Sequence, residues 1–77
     1  MKTITINKIK YKIKKVLQDS RDLKEFELED FKGNKFLFQL VLDKIPSLWK
    51  INKKLIHEAS SEDFSPENVI EVQEFTF

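Results

Sequence analysis

The chain has 77 residues, 14 basic and 13 acidic side chains for a net charge of +1, one glycine and no cysteine. That length allows one small domain, residues 1–77, with a modest core, and the missing thiols exclude disulfides and thiolate metal sites. Near-neutral charge and a single arginine, Arg21, disfavour a domain that grips nucleic acid by bulk charge or reads bases through guanidinium forks.

Residues 2–6, KTITI, alternate and are rich in β-branched side chains, which predicts a strand. Asn7-Lys8 reads as a two-residue turn, because asparagine tolerates positive φ. The returning strand, 9–16, then pairs Ile6 with Ile9 and Ile4 with Tyr11. Residues 17–23 read as a polar connection. The next strand, 24–30, sets Glu25, Glu27 and Glu29 on one side and Phe26 and Leu28 on the other. Pairing Tyr11 with Leu28 and Ile13 with Phe26 also places Lys10, Lys12 and Lys14 opposite Glu29, Glu27 and Glu25. The expectation is a lysine–glutamate checkerboard that fixes register and solubility, rather than a strand that grips phosphate.

Phe31–Lys35 contains Gly33 and reads as a hairpin turn. The strand over 35–42 follows, with Phe36, Phe38, Leu40 and Leu42 on one face and Leu37 and Val41 on the other. At 100° per residue, Ile45, Leu48, Trp49, Ile51, Leu55, Ile56 and Ala59 fall within an arc of roughly 160°. Asp43 suits an N-cap and Pro46 a first turn, so residues 43–59 are predicted to be a helix. A second Asn-Lys hairpin is the rival, since WKINKKLI echoes ITINKIKY. Residues 60–68 read as a loop with Phe64 tucked beneath it, and 69–77 as a final strand able to lie beside the first. The predicted fold is α+β: a four- to five-stranded antiparallel meander with one helix on one face. The alternative is a small all-β barrel.

Catalytic signals are weak. His57, the one histidine, neighbours Glu58 on the predicted helix, where adjacent side chains point apart. The sequence holds no nucleophile elbow, phosphate-cradling loop or metal-spaced carboxylate set. Neither an enzyme nor a metal or cofactor site is expected. No apolar run approaches the ~20 residues of a membrane span, and no apolar stretch of signal-peptide length follows Lys2, so a cytoplasmic protein without membrane contact is expected.

Two surfaces qualify for binding. Leu37, Val41, Ile70, Val72, Phe75 and Phe77 give the last two strands apolar residues on both faces, more than one helix covers. They predict a non-enzymatic protein-binding module, an inhibitor or adaptor of the kind phages and mobile elements carry, which docks on another protein or a second copy. The alternative is a weak nucleic-acid or anion binder using a basic helix face of Lys50, Lys53, Lys54 and His57. Charge is also segregated: residues 1–16 hold six lysines and no acid, and residues 55–77 hold six acids and no lysine or arginine.

Overall fold

A computed structural model describes residues 2–52 and 58–76, the last three of these by backbone alone. Seven strands are present among the described residues: β1 (Thr3–Ile6), β2 (Ile9–Asp19), β3 (Leu23–Glu29), β4 (Lys35–Val41), β5 (Ser47–Ile51), β6 (Phe64–Glu67) and β7 (Val72–Thr76). They form one antiparallel sheet in the order β6-β5-β4-β3-β2-β1-β7. The two edge strands, β6 and β7, are consecutive in the chain. In a flat sheet of seven strands the edges would lie roughly 29 Å apart, whereas the five Cα steps from Glu67 to Val72 reach at most about 18 Å. The sheet must therefore curl, and it does so as a half-barrel.

Curling lets the sheet cover its own apolar face. Ile4, Ile6, Tyr11, Ile13, Phe26, Leu28, Phe36, Phe38 and Leu48 fill the concave side, with Leu40, Val69 and Val72 packed against them. Phe26 and Phe38 sit opposite each other in the β3–β4 ladder and stack with centroids 6.3 Å apart, while Tyr11 meets Phe36 edge-on at 5.0 Å. β3 and β4 alternate, one residue into the concavity and the next onto the convex face, and β2 does so as far as Ile13, where its bulges begin.

The first turn forms as its sequence implies. Asn7 and Lys8 both take positive φ, 52° and 67°, as a two-residue hairpin turn of matching twist requires. Ile6 pairs with Ile9 and Ile4 with Tyr11. The final strand does lie beside the first, with Ile4 opposite Phe75 and Thr5 opposite Glu74.

Three expectations are corrected. The α+β class gives way to an all-β half-barrel, the architecture closer to the alternative, because residues 47–51 of the predicted helix are strand β5. No α-helix occurs among the described residues; a 3-10 turn spans Ser61–Asp63. An apolar arc as wide as the one that suggested a helix also accommodates alternation: Leu48 points inward while Trp49 and Ile51 share the convex phase. As a strand, the segment satisfies the open backbone edge of β4. Asp43 is not an N-cap but a left-handed residue in the β4–β5 connection, φ 60°. Residues 43–46 of the predicted helix form the β4–β5 connection, and residues 53–57, with the Lys53 half of the rival Asn52-Lys53 turn, lie outside the described residues.

The second correction concerns β2 and β3. Lys12 stands opposite Glu29, and Ile13 opposite Leu28, two residues away from the expected register. Two bulges follow, so that Lys15 faces Glu27 and Val16 faces Phe26. β2 also runs on to Asp19 through much of the expected connection, and Ser20 closes the turn by accepting the Leu23 N–H on its hydroxyl at 3.2 Å. The third correction is β6, Phe64–Glu67, which falls within the expected loop at 60–68. Pro66 is tolerated there because β6 is an edge strand.

Candidate functional site

The convex face carries the notable surface. Residues in the convex phase form rows across the strands: Lys12–Glu29–Lys35–Ile51–Phe64, in which Ile51 is itself buried, and beside it Lys15–Glu27–Leu37–Trp49–Pro66. The β2 end of each row is basic and the β5–β6 end is apolar. The bulge between Ile13 and Lys15 crowds Lys14 between Lys12 and Lys15. Lys10, Lys12, Lys14 and Lys15 thus make a ridge down β2.

The expected checkerboard does not close. Glu29 takes its hydrogen bond from the Lys35 ammonium of β4, not from β2. Glu25 accepts from the side-chain amide of Gln39. Among the described residues, no carboxylate lies in ion-pair reach of Lys10, Lys14 or Lys15, all of which are exposed. Glu29 is held below the usual carboxylate range, first by the Lys35 hydrogen bond and then by the charges of Lys35, Lys14 and Lys12, against a smaller opposing cost of burial. Three lysines share that single carboxylate, which leaves a surplus of positive charge.

An exposed aromatic sits at the head of the ridge. Continuing the β2–β3 register beyond Lys12–Glu29 brings Phe31 abreast of Lys10. Phe31 is 60% exposed, and the Lys12 ammonium lies 4.8 Å from its ring centroid. The turn beneath it is closed by hydrogen bonds to Asp30. Asp30 Oδ1 accepts the N–H groups of Lys32 and Asn34 at 2.9 Å each, and Oδ2 accepts the Asn34 amide at 2.9 Å. These donors lower the Asp30 pKa even though burial pushes the other way. Gly33 supplies the positive φ of 91° that the turn needs.

A second feature lies at the seam between the sheet edges. Asn68–Glu71 crosses from β6 to β7 as a strap, and Asn7 fastens it. Asn7 Nδ2 donates to the Asn68 carbonyl at 2.6 Å, and Oδ1 accepts the N–H groups of Ile70 and Glu71 at 2.7 and 3.0 Å. The Asn7 N–H donates to the Glu71 carbonyl at 2.9 Å. Beside the strap is a cleft of about 250 Å³, with Phe36 and Leu48 in its wall and Tyr11, Asp30, Lys50 and Glu67 around it. Tyr11 is 5% exposed. Burial, then the negative charges of Asp30 and Glu67, raises its pKa.

The residues expected to bind are dispersed. Leu37 and Val41 do point away from the core, as their alternation implies, and both are half-buried on the convex face. Val72 instead packs against the core. Ile70 is 80% exposed on the strap. Phe75 lies in β7 opposite Ile4, but its side chain, like all of Phe77, is outside the described residues. The basic helix face does not exist as such: Lys50 is on strand β5, in line with inward-facing Phe36, and Lys53, Lys54 and His57 are outside the described residues. In the sequence the ridge lysines are matched by glutamates in the same alternation and Phe31 falls in a turn, so neither carries a distinctive binding signal.

Among the described residues, no group of three or more histidine or acidic side chains is arranged to hold a metal ion, and no helix is long and apolar enough to cross a membrane. The fold and surface define a small antiparallel half-barrel with a basic ridge on its outer face. No family model, curated protein or solved structure matches the chain.

Proposed function

We propose that this is a non-catalytic binding domain whose working surface is the β2 ridge and whose partner is an anionic polymer. The observation that carries this is the direction of the Glu29 carboxylate. It turns to Lys35 and leaves Lys10, Lys14 and Lys15 without a carboxylate partner among the described residues. Amines that lack a carboxylate inside the fold favour a polyanion over a protein as the partner of this face. The near-zero net charge argues for modest affinity, and the lack of arginine on the ridge argues against base-specific readout.

The test is retention on an immobilised polyanion over a salt gradient. The chain with Lys10, Lys14 and Lys15 all changed to Glu should elute well before the native chain, and one with Lys24 and Lys44 changed to Glu should elute near it. Lys24 is the better control because Asp19 already pairs with it at 2.5 Å. Equal loss in both, or no retention of the native chain at low salt, removes the ridge as a site.

A protein partner is the second reading. It is supported by Ile70, 80% exposed, and Ile45, 81% exposed, two large aliphatic side chains open to solvent. Ile70→Ser together with Ile45→Ser should then reduce solution mass or partner capture. If neither changes, those two residues carry no interface.

A further inference from the structure

Building on the ridge as an anion-binding surface, we infer that its ligand is single-stranded nucleic acid, with a base stacked on Phe31 and the backbone running down β2.

Geometry favours an extended single strand. Lysines at alternate strand positions repeat every ~6.7 Å. Adjacent phosphates of a nucleic-acid strand, paired or single, are separated through space by a comparable distance, so the lysines can meet a backbone at one phosphate each. Shape separates the two. The ridge stands on the convex side of the curled sheet, and a rigid duplex, itself convex, touches such a surface over a short length. A flexible single strand can drape over it.

Phe31 supplies what a bare polyanion site lacks. It is 60% exposed at the head of the ridge, on a turn held by three hydrogen bonds to Asp30. The ring is therefore presented by a pre-organised turn, which spares part of the ordering cost of binding. Its present neighbour is the Lys12 ammonium, 4.8 Å from the ring centroid. A base arriving on the ring displaces that ammonium, which is then free to meet the adjoining phosphate. Stacking on an aromatic face tolerates any base, which suits a ridge of lysines that reads no sequence. Lys10 to Lys15 plus the ring accommodates about four nucleotides.

Fluorescence anisotropy with three probes tests this at fixed low salt: labelled oligothymidylate, a duplex of the same length, and inorganic polyphosphate competing for the same surface. The native chain should bind oligothymidylate more tightly than the duplex. Phe31→Ala should weaken oligothymidylate binding about tenfold and leave polyphosphate competition unchanged, and Phe31→Trp should restore it. Phe31 is exposed, so neither change endangers the core, and circular dichroism checks that the fold is intact. If Phe31→Ala has no effect on oligothymidylate, or the duplex binds as well, the inference falls while the ridge stands as a general anion surface. If neither oligothymidylate nor polyphosphate binds, both are lost.

Discussion

Removing the Asn7 side chain tests whether the strap is fastened as described. Asn7→Gly retains the positive φ of the turn and the backbone N–H bond to Glu71, but deletes three side-chain hydrogen bonds to the strap. Each such bond contributes about 0.5–1.5 kcal/mol net. Because these lie near solvent and the freed groups can rehydrate, the low half of that range applies, giving a loss of about 2 kcal/mol. Part of any loss belongs to the added freedom of glycine in the unfolded chain. Lys8→Gly controls for this: Lys8 also has positive φ, 67°, and makes no such bonds. Relief of its left-handed strain should roughly cancel the glycine entropy, so its stability should change by less than ~0.5 kcal/mol. In a domain of this size about 2 kcal/mol lowers the melting temperature by roughly 10 °C. Urea and thermal unfolding, followed by the fluorescence of the single tryptophan, Trp49, measure both variants. Asn7→Asp, which retains the acceptor but loses the donor to Asn68, should fall between. If Asn7→Gly and Lys8→Gly prove equally stable, the clamp contributes nothing and the account of the seam is wrong.

Two further outcomes follow from the core and the β3–β4 hairpin. Tyr11 is the only tyrosine, so the near-ultraviolet absorbance of tyrosinate reports it directly. Its raised pKa means the folded chain should ionise at higher pH than the urea-unfolded chain. The corresponding stability is fully present below the unfolded value near 10 and is lost as pH rises through the folded value; titrations that coincide would place Tyr11 in solvent. Gly33→Ala should cost about 1 kcal/mol by urea unfolding. A Cβ there meets nothing within 4 Å, so the cost is conformational, set by φ 91°, and not steric. A neutral result would mean the turn relaxes freely.

The parts of the fold that were legible were those where local chemistry leaves one choice. Asn7 can adopt positive φ, two residues separate two alternating runs, and the first hairpin follows with its register. Gly33 marks the β3–β4 turn for a similar reason. The β2–β3 register was not legible because alternation repeats every two residues. Sliding β2 by two leaves Lys10, Lys12 and Lys14 facing outward and Tyr11 and Ile13 inward, so pattern alone fixes the face and not the partner. The hydrogen bonds of Ser20 and the two bulges decide it, and neither has a distinctive sequence signal. β5 was missed because Leu48, Trp49 and Ile51 fit a broad helical arc as readily as a short strand, and β6 because Pro66 breaks a run that an edge strand can tolerate. The candidate site was half legible: the lysines were evident, but their freedom depends on Glu29 choosing Lys35, a neighbour on the far side that no count of charges reveals.

The bond between Asn7 and the strap joins positions 61 to 64 residues apart in the chain. β1 likewise gains one of its two neighbours only from β7. During synthesis β7 must therefore emerge before Ile4 and Ile6 can be fully enclosed, and until then the hairpin of β1 and β2 carries both aliphatic side chains uncovered. Contacts of such long sequence separation slow folding and prolong the interval in which that apolar surface is open to aggregation.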